Sequence, residues 1–204
     1  KDILFIGRQL SIGDGNLHCN VTLLAEWLSR FFDAHTTLQN CFIPAWEGGH
    51  PDHDLLHAIA VKVLLTRKNP PAIWQYPLYN GKGCFGPFFR ALSPLPENGS
   101  IQRQFIAWRD RIRYVRLCLS FSSQWRSWVG LFPFVAGHYL FNGVQFLQSV
   151  SRQRLESPPH DLPLYYERRG FLDWPTLSSA VEQLIEEKSV KLTAADIPTT
   201  SKKD

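Results

Sequence analysis

The stretch "PAWEGGHPDHDLLH", residues 44–57, closes an apolar run and then gathers three histidines and two aspartates between His50 and His57. Proline is at home at the first helical position, where its missing N–H has no intrahelical partner, so Pro51 starts a helix and His50 caps it. Asp52 and Asp54 then fall in the first turn, where carboxylates suit the positive end of the helix dipole. The preceding "NCFIPAW" (40–46) reads as a strand, with Gly48 and Gly49 allowing a sharp turn between the two. Strand, tight turn and helix in succession point to an α/β fold. They also place the imidazoles just past the carboxyl end of a strand, where open α/β sheets bind ligands.

Working outward, "HPDHDLLHAIAVKVLLTR" (50–67) is the helix itself and "AIWQYPLY" (72–79) the next strand. Upstream, "NVTLLAEWLSRFF" (20–32) carries apolar residues at helical spacing, and "ILFIG" (3–7) has the form of a short buried parallel strand ended by glycine. This alternation predicts a Rossmann-like three-layer sandwich with a mainly parallel sheet. Beyond it, the glycine- and proline-rich 80–100 reads as a loop or hairpin, 101–108 as a strand, 109–128 as a helix and 134–153 as a further helix. "LPLYYE" (162–167) reads as a late strand and 174–188 as a helix with Pro175 in its first turn. Residues 1–79 are thus expected to form a partial Rossmann-like core, 80–188 a C-terminal α+β extension completing the same domain, and 189–204 a flexible tail.

A hydrophobic share of 44% with 20% charged residues fits an ordinary globular domain and excludes a disordered chain. The net charge of +4 is modest. In the densest basic run, 103–116, arginines alternate with apolar residues, as on a solvated helix face whose apolar side packs into the core; nucleic acid would call for a continuous basic stripe. Cys19, Cys41, Cys84 and Cys118 have neither zinc-ribbon nor redox spacing and are expected to be buried thiols in a reducing cytoplasm. The longest apolar run, 128–141, is interrupted by Pro133, Gly137 and His138, short of the roughly 20 residues a spanning helix requires, so no membrane insertion is expected.

His50, His53 and His57 stand three and four residues apart, a spacing that puts them on one helix face. Asp52 is placed to hold a neighbouring imidazole nitrogen, as carboxylates beside metal-binding histidines do. A single helical histidine is usually a surface or core residue. Three beside a capping aspartate point to a metal or acid–base site, and spacing alone does not name the reaction.

The same stretch resembles the second signature of the metal-dependent N-deacetylases, the family that includes the N-acetylglucosaminyl-phosphatidylinositol de-N-acetylases and bacterial enzymes acting on small N-acetylglucosamine conjugates. "ILFIGRQLSIGDGNL" (3–17) is similar to that family's strand and Asp-Gly loop, and "LSFSSQW" (119–125) and "LPLYYERRGF" (162–171) look like later segments of its bacterial branch. The resemblance implies that His53 is a ligand to a divalent metal, usually Zn2+, and that His50 faces the scissile amide to stabilise the oxyanion or protonate the leaving amine. It further implies that Asp52 orients His50 and that Asp14 sits near the bound sugar; His57, outside the four-residue core, is expected either to support the ligands or to be structural. The implied partner is a small N-acetylated sugar conjugate, its aglycone read by variable loops such as 80–100.

The family's first signature, a His-Pro-Asp-Asp element that supplies two further ligands and the general base, has no match in residues 1–49. With Lys1 first and no methionine anywhere, the expectation is that the first strand-loop-helix is missing: the parent an enzyme, this chain an inactive fragment unable to hold zinc alone. The rival expectations are a non-catalytic sugar-binding or scaffold protein that has lost the metal, and a different metal amidase on a similar sheet.

Overall fold

The structure is a computed structural model that describes residues 3–119 and 125–191. Its elements run α1 (Ile6–Gln9), α2 (Val21–Ala34), β1 (Asn40–Pro44), α3 (Pro51–Leu65), β2 (Ala72–Tyr76), β3 (Tyr79–Asn80) and β4 (Arg90–Ala91). They continue with β5 (Ile101–Phe105), α4 (Trp108–Leu119), α5 (Trp125–Gly137), β6 (Val144–Ser149), α6 (Tyr165–Arg168) and α7 (Trp174–Lys191).

The fold is α/β with a mixed four-stranded sheet in the order β1-β2-β6-β5. Only β1 and β2 are parallel, Asn40 facing Ala72 and Pro44 facing Tyr76; β6 runs antiparallel to both β2 and β5. The expectation of a mainly parallel sheet is therefore corrected: the βαβ unit from β1 through α3 to β2 is present, and the strands added beyond it reverse direction. Helices α2, α3 and α7 share one core, with Leu24, Leu28 and Phe32 from α2, Leu55, Ile59 and Leu64 from α3, and Leu177 and Val181 from α7 packed with Ile43 and Ile73 of the strands. Across β1 the other side of the sheet is less covered, and Phe42 is 55% exposed.

Three expected elements differ. Residues 3–7 form no strand; the turn of α1 begins at Ile6, and Ile3, Leu4 and Phe5 are exposed, so the apolar run has no sheet to enter. The expected helix over 134–153 stops, because Gly143 adopts φ 58° and the alternating Val144–Ser149 then pairs as β6. At 162–167, Leu164 and Tyr166 are both fully buried, which reproduces strand-like alternation, yet the backbone turns through a cis Leu162–Pro163 bond into α6. The helix expected over 109–128 is two, α4 and α5, and residues 120–124 of the "LSFSSQW" segment lie outside the described residues, as does the tail from 192.

Arg109, Arg113 and Arg116 of α4 are exposed as expected, while Arg111 is half-buried and donates to Ile106 O; the apolar residues do not join the core, Trp108 and Leu117 being exposed. The four cysteines are unpaired, but none is buried. Among the described residues, no helix is long and apolar enough to cross a membrane.

Candidate metal and substrate site

The head of α3 is built as its sequence dictates. His50 is the N-cap with extended backbone, its Nδ1 accepting the Asp52 backbone N–H at 3.2 Å, and Pro51 opens the helix. The turn before it is tightly held. Gly48 has φ 72°, and its backbone N–H, with that of Glu47, donates to the buried Asp54 carboxylate. A Cβ on Gly49 would collide with the Tyr79 carbonyl oxygen, so the chain passes where only glycine fits.

Two buried carboxyls therefore brace this turn. Glu47 accepts the N–H groups of Leu78 at 2.7 Å and Tyr79 at 2.9 Å through Oε1, tying the turn to the end of β2. Burial drives the Glu47 carboxyl well above the carboxylate range, and lifts Asp54 from 3.8 to about 7 against the pull of its backbone N–H donors. The sequence reading placed Asp54 only as a first-turn carboxylate and gave Glu47 no role. Their position between a strand end and a glycine pair was the available signal.

Asp52 turns toward the upstream loop. Its Oδ2 accepts the Gly15 N–H at 2.7 Å and its Oδ1 the Leu17 N–H at 3.2 Å. It thus holds the Asp14 loop against the helix head, and it is the Asp52 backbone, not its carboxylate, that hydrogen-bonds His50. Donor atoms of Asp14, His50 and Asp52 gather within 4.8 Å of one another.

The three histidines separate. His53 stays beside His50, ring centroids 5.1 Å apart, and lies edge-on to Tyr79 at 6.0 Å. Its Nδ1 is buried without a hydrogen-bond partner among the described residues, and burial, reinforced by the nearby His50, lowers its pKa from 6.5 to about 4. At neutral pH it therefore offers a lone pair. His57 takes the structural one of the two roles expected for it: its Nδ1 meets Pro44 O at 2.7 Å beneath Trp46, so it fastens α3 to β1.

Beside this cluster opens a cavity of about 620 Å³, lined by Asp14, His50 and Arg169 together with the aromatic rings of Tyr79, Phe89, Tyr165 and Phe171. Tyr79, Phe89 and Tyr165 meet edge to face with centroids 5.7–5.9 Å apart. Phe89 comes from the 80–100 stretch expected to read the substrate. Tyr165 and Phe171 come from the α6 turn, which the strand expectation had hidden.

In kind, these donors fit a divalent cation. Two ligands of one zinc, each about 2.0–2.2 Å away, lie at most about 4.4 Å apart; Asp14, His50 and Asp52 come close to that spacing, and His53, the expected ligand, is not one of the three. The cap bond at His50 Nδ1 places the proton of its neutral ring on Nε2, which suits a hydrogen-bond donor better than a ligand. The unpartnered nitrogen of His53 has the opposite character. No protein-family model, curated protein or solved structure matches the chain.

Proposed function

We propose that this protein is a metal-dependent hydrolase that removes the acetyl group from an N-acetylglucosamine-type conjugate, with its site at the head of α3. The observation that carries the reading is the gathering of Asp14, His50 and Asp52, of which Asp14 and His50 line an aromatic-walled cavity, with the His53 ring next to that of His50. His53 would supply the imidazole ligand, with Asp14 close enough to serve either cation or sugar hydroxyl. A bound divalent ion such as zinc would supply Lewis-acid polarisation of the amide carbonyl and acidify a water. His50 would donate from Nε2 to the developing oxyanion or the leaving amine. Asp52 would keep the Asp14 loop in place, and the tyrosine and phenylalanine wall would seat the sugar ring and exclude water.

The ligand set within residues 1–49 lacks the His-Pro-Asp-Asp element, so we assign turnover to a form of the protein that carries it and weak metal and sugar binding to this chain. The test is acetate release from N-acetylglucosamine conjugates with added zinc. The reading expects none from the 204-residue chain and release from a form extended by that element; release of acetate from neither overturns it. The alternative, a sugar-binding protein without catalysis, draws on the engagement of both Asp52 oxygens by backbone N–H groups. Genomic DNA encoding His-Pro-Asp-Asp in frame ahead of Lys1 would exclude it.

A further inference from the structure

We propose that the exposed face of α4 is a docking surface for an acidic polypeptide, a partner segment that sets carboxylates between apolar side chains. The inference is independent of the chemistry at the head of α3: among the described residues, none from α4 lines that cavity.

The positive charge of the protein is concentrated on this part of the chain. Residues 101–141 hold six arginines, no lysine and one aspartate, an excess of five positive charges in a chain whose net charge is +4, so the rest of the sequence is slightly acidic. Arg109, Arg113 and Arg116 stand four and three residues apart, which puts them on one helix face, and all three are exposed. Ile112 and Leu117 are exposed on the same face, along which runs a groove of about 850 Å³. Among the described residues, no salt bridge joins Arg109 or Arg113 to a carboxylate. The corner where the helix begins is held firmly: Ile106 N–H donates to Gly143 O at 2.9 Å, and Arg111 donates from Nε to Ile106 O at 2.8 Å with its guanidinium over the Trp108 ring. Phe105 and Phe141, next to this corner, are 82% and 84% exposed.

Composition selects the occupant. Protein–protein interfaces are enriched in arginine and aromatic residues and depleted in lysine. The guanidinium is weakly hydrated and meets a carboxylate in two-point geometry, so it is the cation that a protein partner covers at least cost. An anionic lipid surface takes lysine and arginine alike, and would not select arginine alone. A nucleic-acid backbone calls for an uninterrupted row of cations, which Ile112 and Leu117 break. A second copy of this face would set arginines against arginines. An acidic amphipathic segment laid along α4 covers Ile112 and Leu117 and pairs Arg109 and Arg113.

Fluorescence anisotropy with the full chain tests this. The probe is a fluorescein-labelled peptide with leucine and glutamate alternating along one helical face, and the control is the same peptide with glutamine in place of glutamate. The glutamate peptide should bind about tenfold or more tightly, as charge-assisted hydrogen bonds supply, and the gap should narrow with added salt. The double variant Arg109→Gln, Arg113→Gln should close the gap. The double variant Ile112→Ser, Leu117→Ser should weaken both peptides alike, and unchanged thermal unfolding shows that both variants fold. No binding of the glutamate peptide, equal affinity for the two peptides, or a gap that survives loss of Arg109 and Arg113 overturns the proposal. Arginine-dependent binding of oligothymidylate, or of vesicles of phosphatidylcholine and phosphatidylserine in equal parts, stronger than that of the glutamate peptide would assign the face to nucleic acid or lipid and overturn it as well. So would sedimentation showing that the chain self-associates through Ile112 and Leu117.

Discussion

Asp52 links two parts of the site by accepting the Gly15 and Leu17 N–H groups from a loop 35–37 residues upstream. Removing it strands two part-buried backbone donors, so Asp52→Ala should destabilise the chain by about 1–3 kcal/mol, and Asp52→Asn, which keeps one acceptor, by less. Thermal unfolding measures the loss, and hydrogen exchange at the Gly15 amide should quicken in step. Unchanged exchange would show that the contact does not hold the loop. At His50, the bond accepted by Nδ1 fixes the tautomer. Nitrogen NMR in mildly alkaline solution should find the proton on Nε2, and a proton on Nδ1 would remove His50 as the donor facing the substrate.

At the scale of elements, the strand-turn-helix unit from β1 to α3 depends on the glycine pair. Gly49→Ala drives a methyl group into the Tyr79 carbonyl, and since that is backbone braced by Glu47, little can give way. A loss of about 3 kcal/mol or more is expected in chemical denaturation, and a loss below about 1 kcal/mol would mean the turn is softer than drawn. This unit was legible in the sequence because proline, capping histidine and glycines act locally. The direction of β6 was not legible, since strand pairing is decided by residues more than 70 positions apart, such as Gln75 opposite Gln148. Nor was the α6 turn: Leu164 and Tyr166 are buried two residues apart as in a strand, while the bonds that make it a turn come from Gly48 and Glu167. Within the site, the capping role of His50 was legible in the sequence and Asp14 was suggested only by the resemblance, whereas the partner of His57, Pro44 O, depends on how α3 packs against the end of β1.

For the whole molecule, the buried titratable groups set opposing pH responses. Glu47 and Asp54 have pKa values raised by burial, so their contribution to stability is complete below the ordinary carboxylate range and is lost as pH rises through their raised values, about 7 for Asp54. His53 and His57 are lowered from 6.5 to about 4, so their contribution is complete above 6.5 and is lost as pH falls toward 4. Between these limits the two pairs work against each other. Above the ordinary histidine range the histidines no longer change, and the melting temperature should fall as pH rises through the raised carboxyl values, about 7 for Asp54, until Lys62, lowered by burial from 10.5 to about 8, begins to act in the opposite sense. Calorimetry across this range checks it, with Glu47→Gln expected to flatten the alkaline limb.

The account turns on a divalent ion held at the head of α3, and calorimetric titration of the chain with Zn2+ tests it most directly. It predicts one weak, dialysable site that is lost in His53→Ala and kept in His50→Ala. Absence of zinc binding, or binding that His53→Ala leaves intact, would contradict it.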